Sequence, residues 1–123
     1  MSKVLNGISE LPYLVFISGF DIVDEDGHVV TDTHEGLLLY MGGTVCDDYF
    51  NDDAADAICR EMGRPYGTSS WKNGHFFSFQ MSKSIKLDNV KCQSDVWASC
   101  TYKTSHNCEH SEDVYISCQG NTI

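Results

Sequence analysis

"GGTVCDDYFNDDAADAICREMG" (42–63) carries a strand end, a cysteine with two acids behind it, and a complete helix in one run. Gly42 and Gly43 mark a tight turn or bulge before the β-branched pair Thr44 and Val45. From Asn51 onward the period changes. Ala55, Ile58, Cys59 and Met62 recur at i, i+3, i+4 and i+7, which is one buried face of a helix. Asn51 or Asp52 can cap its start, and the acids of the first turn suit the helix dipole. Gly63 is a natural C′ stop, and Pro65 forbids continuation. Cys59 falls on the buried stripe, as a structural disulfide requires, whereas Asp52, Asp53 and Asp56 fall on the solvent side.

Working outward, "GLLLYMGGTVCDD" (36–48) reads as a strand pair or a bent strand. "LPYLVFISGF" (11–20) reads as a strand, and "DEDGHVV" (24–30) as an Asp-Gly turn ahead of a strand start. "RPYGTSSWKNGHFFSFQMSKS" (64–84) is a long loop with one short strand around Phe76–Phe79. Such a loop is functional or stapled by its surroundings. "SIKLDNVKC" (84–92) alternates around Ile85, Leu87 and Val90 and predicts a strand leading into a turn. "SEDVYISC" (111–118) ends in a final strand.

The 123 residues suit one domain, here placed at 11–120, with 1–10 as an N-terminal extension. Apolar content of 41% and charged content of 21% predict a folded chain. Eighteen acids against eight Lys and Arg give a net charge of −10, which argues against nucleic acid or an anionic membrane as partner. No apolar run approaches the roughly 18 residues of a membrane span. "MSKVLNGISE" (1–10) has no apolar core of a secretory signal, so the chain is expected to be a mature domain or an excised piece with an added start methionine. Six cysteines, at 46, 59, 92, 100, 108 and 118, include no CxxC pair. Three disulfides in an oxidising compartment is the leading reading, with reduced cysteines in the cytosol as the alternative. Six cysteines allow 15 connectivities, and spacing does not choose among them.

Three blocks together resemble the scavenger receptor cysteine-rich domain. "GGTVCDDYFNDDAADAICREMG" (42–63) is similar to its strand ending in "GTVCDD" and helix ending in a "CRQLG"-like sequence. "IKLDNVKC" (85–92) looks like its "LDDVxC" segment, and "HNCEHSEDVYISC" (106–118) like its closing "HNCxHxEDxxxxC". Order and approximate spacing agree from about 36 to 118. The six cysteines match the group A pattern; Arg64 stands where group B domains carry an extra cysteine. The N-terminal third is only loosely similar, and the usual tryptophan before "GTVC" is missing.

The resemblance implies an α+β, mostly β fold, with a curved antiparallel sheet cradling one main helix. It implies the pairs Cys46–Cys108, Cys59–Cys118 and Cys92–Cys100. Bridged cysteines have Cα atoms about 5.5–6 Å apart. The first pair therefore brings Asp47 and Asp48 to one corner with Glu112. Converging carboxylates repel unless a cation lies between them, and hard oxygens favour Ca²⁺ or Mg²⁺. The matching positions hold a divalent cation in several family members, so Asp47, Asp48 and Glu112 are the expected ligands. Asp113 is expected to brace that corner. Zinc at "SHNCEHSED" (105–113) would need Cys108 reduced, with His106, His110 or Cys100 beside it. Asp21, Asp24, Glu25 and Asp26 form a second acidic cluster. His28, His34 and His75 look like loop residues without evident partners.

No GxSxG, HExxH or Gly-rich phosphate loop appears, so no enzyme is expected. The resemblance implies an extracellular receptor-type module, of a kind used in innate immunity, that recognises proteins or polyanionic and glycan surfaces. Ca²⁺ at the corner would bridge to an anionic ligand. Lys and Arg are scattered, so a basic patch is the weaker mechanism. Tyr66 and Trp71 in the aromatic loop, with Arg64, are further ligand-contact candidates. The alternative is a structural spacer in a larger secreted or membrane-anchored protein.

Overall fold

A computed structural model describes residues 18–67, 69–73 and 77–118. The expected extension at 1–10 lies outside the described residues, as does the expected strand at 11–20 apart from residues 18–20.

The described residues form seven strands and one α-helix. β1 is Phe20–Val23, β2 Glu35–Tyr40 and β3 Gly43–Val45; α1 is Asp52–Glu61. β4 is Ser70–Lys72, β5 Ile85–Cys92, β6 Cys100–Lys103 and β7 Tyr115–Ser117. The sheet order is β4-β7-β2-β3-β5-β6, with β1 on β2. The "MGG" break between β2 and β3 is a tight hairpin, registered by Leu39 opposite Thr44 and Tyr40 opposite Gly43. One pair departs from the antiparallel pattern: β3 and β5 run parallel. That arrangement needs a crossover connection, and α1 lies in it. Gly43 permits the close approach of the two strands, since a Cβ there would sit 2.6 Å from the Ser84 carbonyl oxygen.

The helix follows its sequence signals. Asn51 caps it through Oδ1, which accepts from Ala54 N at 2.8 Å, and its amide donates to Cys92 O at 3.0 Å. One side chain thus ends the helix and ties it to β5. Gly63 leaves the helix at φ +74. Ala54, Ala55, Ala57, Ile58 and Cys59 face inward. There they meet Ile22, Leu38, Val45, Leu87, Val90, Val114 and Ile116 in the main core. A smaller cluster on the other face of the sheet joins Val23, Leu37, Leu39 and Tyr115, with Phe77 and Phe79 packed on it.

The loop after the helix differs from expectation. Its strand is at 70–72, pairing with β7, and residues 77–79 turn into a 3₁₀ segment at Gln80–Ser82. Of the run that suggested a strand, Phe76 lies outside the described residues, while Phe77 and Phe79 cover the second cluster; Phe77 meets Tyr115 edge-on at 5.0 Å. Asp56 does more than face water, because its Oδ1 accepts from Gly67 N and Ser69 N and pins this loop to the helix.

Cys46–Cys108, Cys59–Cys118 and Cys92–Cys100 are all bridged, as the resemblance implied. No free cysteine remains, so a thiolate zinc site at Cys108 is excluded.

Candidate functional site

The Cys46–Cys108 bridge is the floor of an acidic corner. Its Cα atoms are 6.3 Å apart. Backbone pairing holds the two sides together: Cys46 bridges Asp113, Val114 N donates to Val45 O, and Asp47 N donates to Glu112 O, both at 2.9 Å. Above the sulfurs stand the carboxylates. Glu112 Oε1 lies 3.8 Å from Cys46 Sγ, and Asp48 Oδ2 lies 3.7 Å from Cys108 Sγ. Oxygens of Asp47, Asp48 and Glu112 can all lie within 4.8 Å of one another. The three residues expected from sequence therefore meet in space.

A fourth acid joins them. Asp88, on β5, comes within the same reach of Asp48 and of both bridge sulfurs. It is only 4% exposed. The sequence reading missed it, although it lies in the "LDNVKC" segment at a polar position between the buried Leu87 and Val90. Burial pushes the Asp48 carboxyl up, and the Asp88, Glu112 and Asp47 charges push it further the same way. The donors are all carboxylate oxygens, and both neighbouring sulfurs are consumed in a disulfide, so the set fits Ca²⁺ or Mg²⁺ and not zinc.

The supports are specific. Glu112 closes a reciprocal cap with Glu109, accepting from Glu109 N at 2.9 Å, which orients its carboxylate. The Asn73 amide donates to Asp47 Oδ2. Beneath them Asp113 is fully buried and braces the turn. It accepts from Gln80 Nε2 at 2.8 Å and meets His110 Nδ1 at 2.7 Å. Burial pushes the Asp113 carboxyl up, against the lowering effect of hydrogen bonds from His110 and Gln80.

The other expected residues lie elsewhere. Trp71 is half-buried and packs edge-on against Phe50 at 5.0 Å. Tyr66 is 45% exposed, with the Arg60 guanidinium 5.2 Å from its ring centre. Arg64 turns inward to Val30 O and to His34 Nδ1, the latter at 2.7 Å. His34 thus has a partner that the sequence did not reveal, while His75 lies outside the described residues. Asp24, Asp26 and His28 gather at a turn, where Asp24 Oδ1 accepts from Asp26 N and His28 N. Those two hydrogen bonds account for the position of Asp24 within the second acidic cluster.

Beside the corner runs a groove of about 570 Å³, from Asp48 and Asp88 past Asn107 and His106 to Lys103. A second hollow of about 290 Å³ adjoins it, lined by Lys91, Thr101 and Tyr102 among others. The β5–β6 hairpin, unforeseen in sequence, brings both lysines to this side.

Comparison with known proteins gives a consistent picture. The family model of the scavenger receptor cysteine-rich domain matches residues 25–119. Among solved structures, the third such domain of murine neurotrypsin is 30% identical with a TM-score of 0.61, covering 84% of this chain and 97% of that one. The dimeric form of the corresponding domain of mouse MARCO is 26% identical with a TM-score of 0.52, covering 72% and 90%.

Proposed function

The chain belongs to the scavenger receptor cysteine-rich domain family, and from this premise we propose that it binds anionic or protein surface ligands through Ca²⁺ held at the Asp47–Asp48–Glu112 corner. Domains of this family are extracellular interaction modules. No helix among the described residues is long and apolar enough to cross a membrane.

The observation that carries the reading is the convergence of these three carboxylates, distant in sequence, over one disulfide. Asp88 beside them raises the negative potential and offers a further oxygen. Three or four protein oxygens leave positions in a Ca²⁺ shell of 6–8, which a ligand sulfate, phosphate or carboxylate can fill. A domain of net charge −10 then takes an anionic partner without a basic stripe. Asp47, Asp48, Glu112 and Asp88 supply the charge; Glu109, Asn73 and the bridge hold them in place.

The test is calorimetric titration of the disulfide-intact domain with Ca²⁺. A Kd in the range of about 10⁻⁴–10⁻³ M is expected, as for extracellular modules. Asp48→Ala is expected to weaken it by about tenfold or more, because Asp48 belongs to both carboxylate groups. Binding to an immobilised sulfated polysaccharide should fall on addition of EDTA. Unchanged binding in EDTA, together with a flat Ca²⁺ isotherm, would overturn the reading.

A further inference from the structure

Tyr49 carries two costs at once, and neither is offset by packing in the core. It has φ +62, in the left-handed region that favours glycine over a residue with a side-chain ring. It is also 68% exposed, the most exposed large apolar side chain among the described residues. Three other non-glycine residues among those described have positive φ. Asn89 is of a type that tolerates it. His34 is held by Arg64, and Met41 forms the tight β2–β3 turn with Gly42. The buried ring of this segment is the next residue, Phe50, at 6%. Strain at an exposed aromatic beside a charged corner points to a ligand contact.

The position supports this. Tyr49 lines both the groove that begins at Asp48 and Asp88 and the hollow that ends at Lys91 and Tyr102. Asn89 and Lys103 are the other residues common to both. A ligand crossing this ridge meets an aromatic face in the middle and hydrogen-bonding groups from Asn89, Thr101 and Asn107. At one end it meets two lysines and at the other the carboxylate corner. A sugar ring has an apolar C–H face that can lie on an aromatic ring, with hydroxyls around its rim for amide and hydroxyl partners. Acidic substituents on neighbouring sugars match the lysines at one end and a corner-bound cation at the other.

We propose that Tyr49 is the ligand platform of this domain, seating one ring of an anionic oligosaccharide that runs from the acidic corner toward Lys91 and Lys103. The corner end of this inference rests on the Ca²⁺ reading above; the Tyr49 platform does not.

The experiment compares the wild type with Tyr49→Gly and Tyr49→Phe. Each is titrated in Ca²⁺ with a heparin-derived sulfated tetrasaccharide and with its desulfated form, and each is melted in EDTA. Tyr49→Gly is expected to bind the sulfated sugar about tenfold or more weakly. Its Ca²⁺ isotherm should not change, and its melting temperature should equal or exceed that of the wild type, because glycine accepts the backbone. Tyr49→Phe keeps the aromatic face and should bind within about threefold of the wild type. Wild-type affinity in Tyr49→Gly overturns the platform. Equal binding of the desulfated sugar overturns the anionic class, and no sugar binding by the wild type overturns both. A flat Ca²⁺ isotherm removes only the cation, provided that sugar binding persists and still depends on Tyr49.

Discussion

At the scale of single residues, the corner is a balance of like charges, and pH tilts it. Asp48 has its carboxyl pushed above the ordinary 3.8 by burial and by Asp88, Glu112 and Asp47. A carboxyl raised on folding holds its proton more tightly in the folded chain. Its contribution to stability is present at low pH and is lost as pH rises through the folded value. In EDTA, the wild type should therefore lose stability relative to Asp48→Asn as pH climbs from about 4 toward neutrality. Comparing the two proteins isolates Asp48, since Asp113 shifts the same way in both. Ca²⁺ at neutral pH should reverse the order, stabilising the wild type and leaving the variant nearly unmoved. Thermal melts across pH, with and without Ca²⁺, check both limbs. Asp47, Asp48 and Glu112 were singled out by the likeness of "CDD" and "HSED" to the family's blocks, and the Cys46–Cys108 bridge that the likeness implied does bring them together. Asp88 and the strain at Tyr49 were hidden, since one depends on cross-strand placement and the other on a dihedral angle.

Among the elements, α1 was the most legible, because period, cap and stop agree over one short run. Asn51 has a second task that no periodicity shows, the hydrogen bond to Cys92 O. Asn51→Ala should cost about 1–2 kcal/mol, through loss of the cap and of this tie. It should leave Ca²⁺ affinity unchanged, and urea unfolding with calorimetry separates the two effects. The short strands were less legible. β6 shows mostly exposed side chains and offers no alternation to read. β4 is three half-buried residues whose extended form comes from pairing with β7. The phenylalanines at 77 and 79 have strand-like composition, yet they are more useful as a lid over Tyr115 and Leu37. Their burial was legible; their backbone was not.

For the molecule as a whole, the bridges and the proposed cation would act on the same equilibrium. Cys46–Cys108 spans 62 residues, and by the chain-entropy account its closure contributes on the order of 4 kcal/mol. Replacing both cysteines with serine should lower stability by about that amount and weaken Ca²⁺ binding, since the bridge also floors the corner. Ca²⁺ at about ten times its Kd should add about 1.4 kcal/mol to the intact domain. Differential scanning calorimetry in Ca²⁺ and in EDTA measures both effects. The pairing could not be read from cysteine spacing, because 15 connectivities satisfy it; the likeness of the surrounding blocks chose among them, and the observed bridges agree. The place of β7 has a bearing on how such a chain is made. The strand formed by residues 115–117 lies between β4 and β2, and Cys108 and Cys118 close the two long bridges. A growing chain that has reached only residue 110 leaves β2 and β4 each without this neighbour, and Cys59 without its mate. Synthesis must run nearly to the end of the fold before its middle can be filled. Until then two sheet edges and a thiol are open to other chains, so residues 115–118 complete the sheet and the second long bridge together.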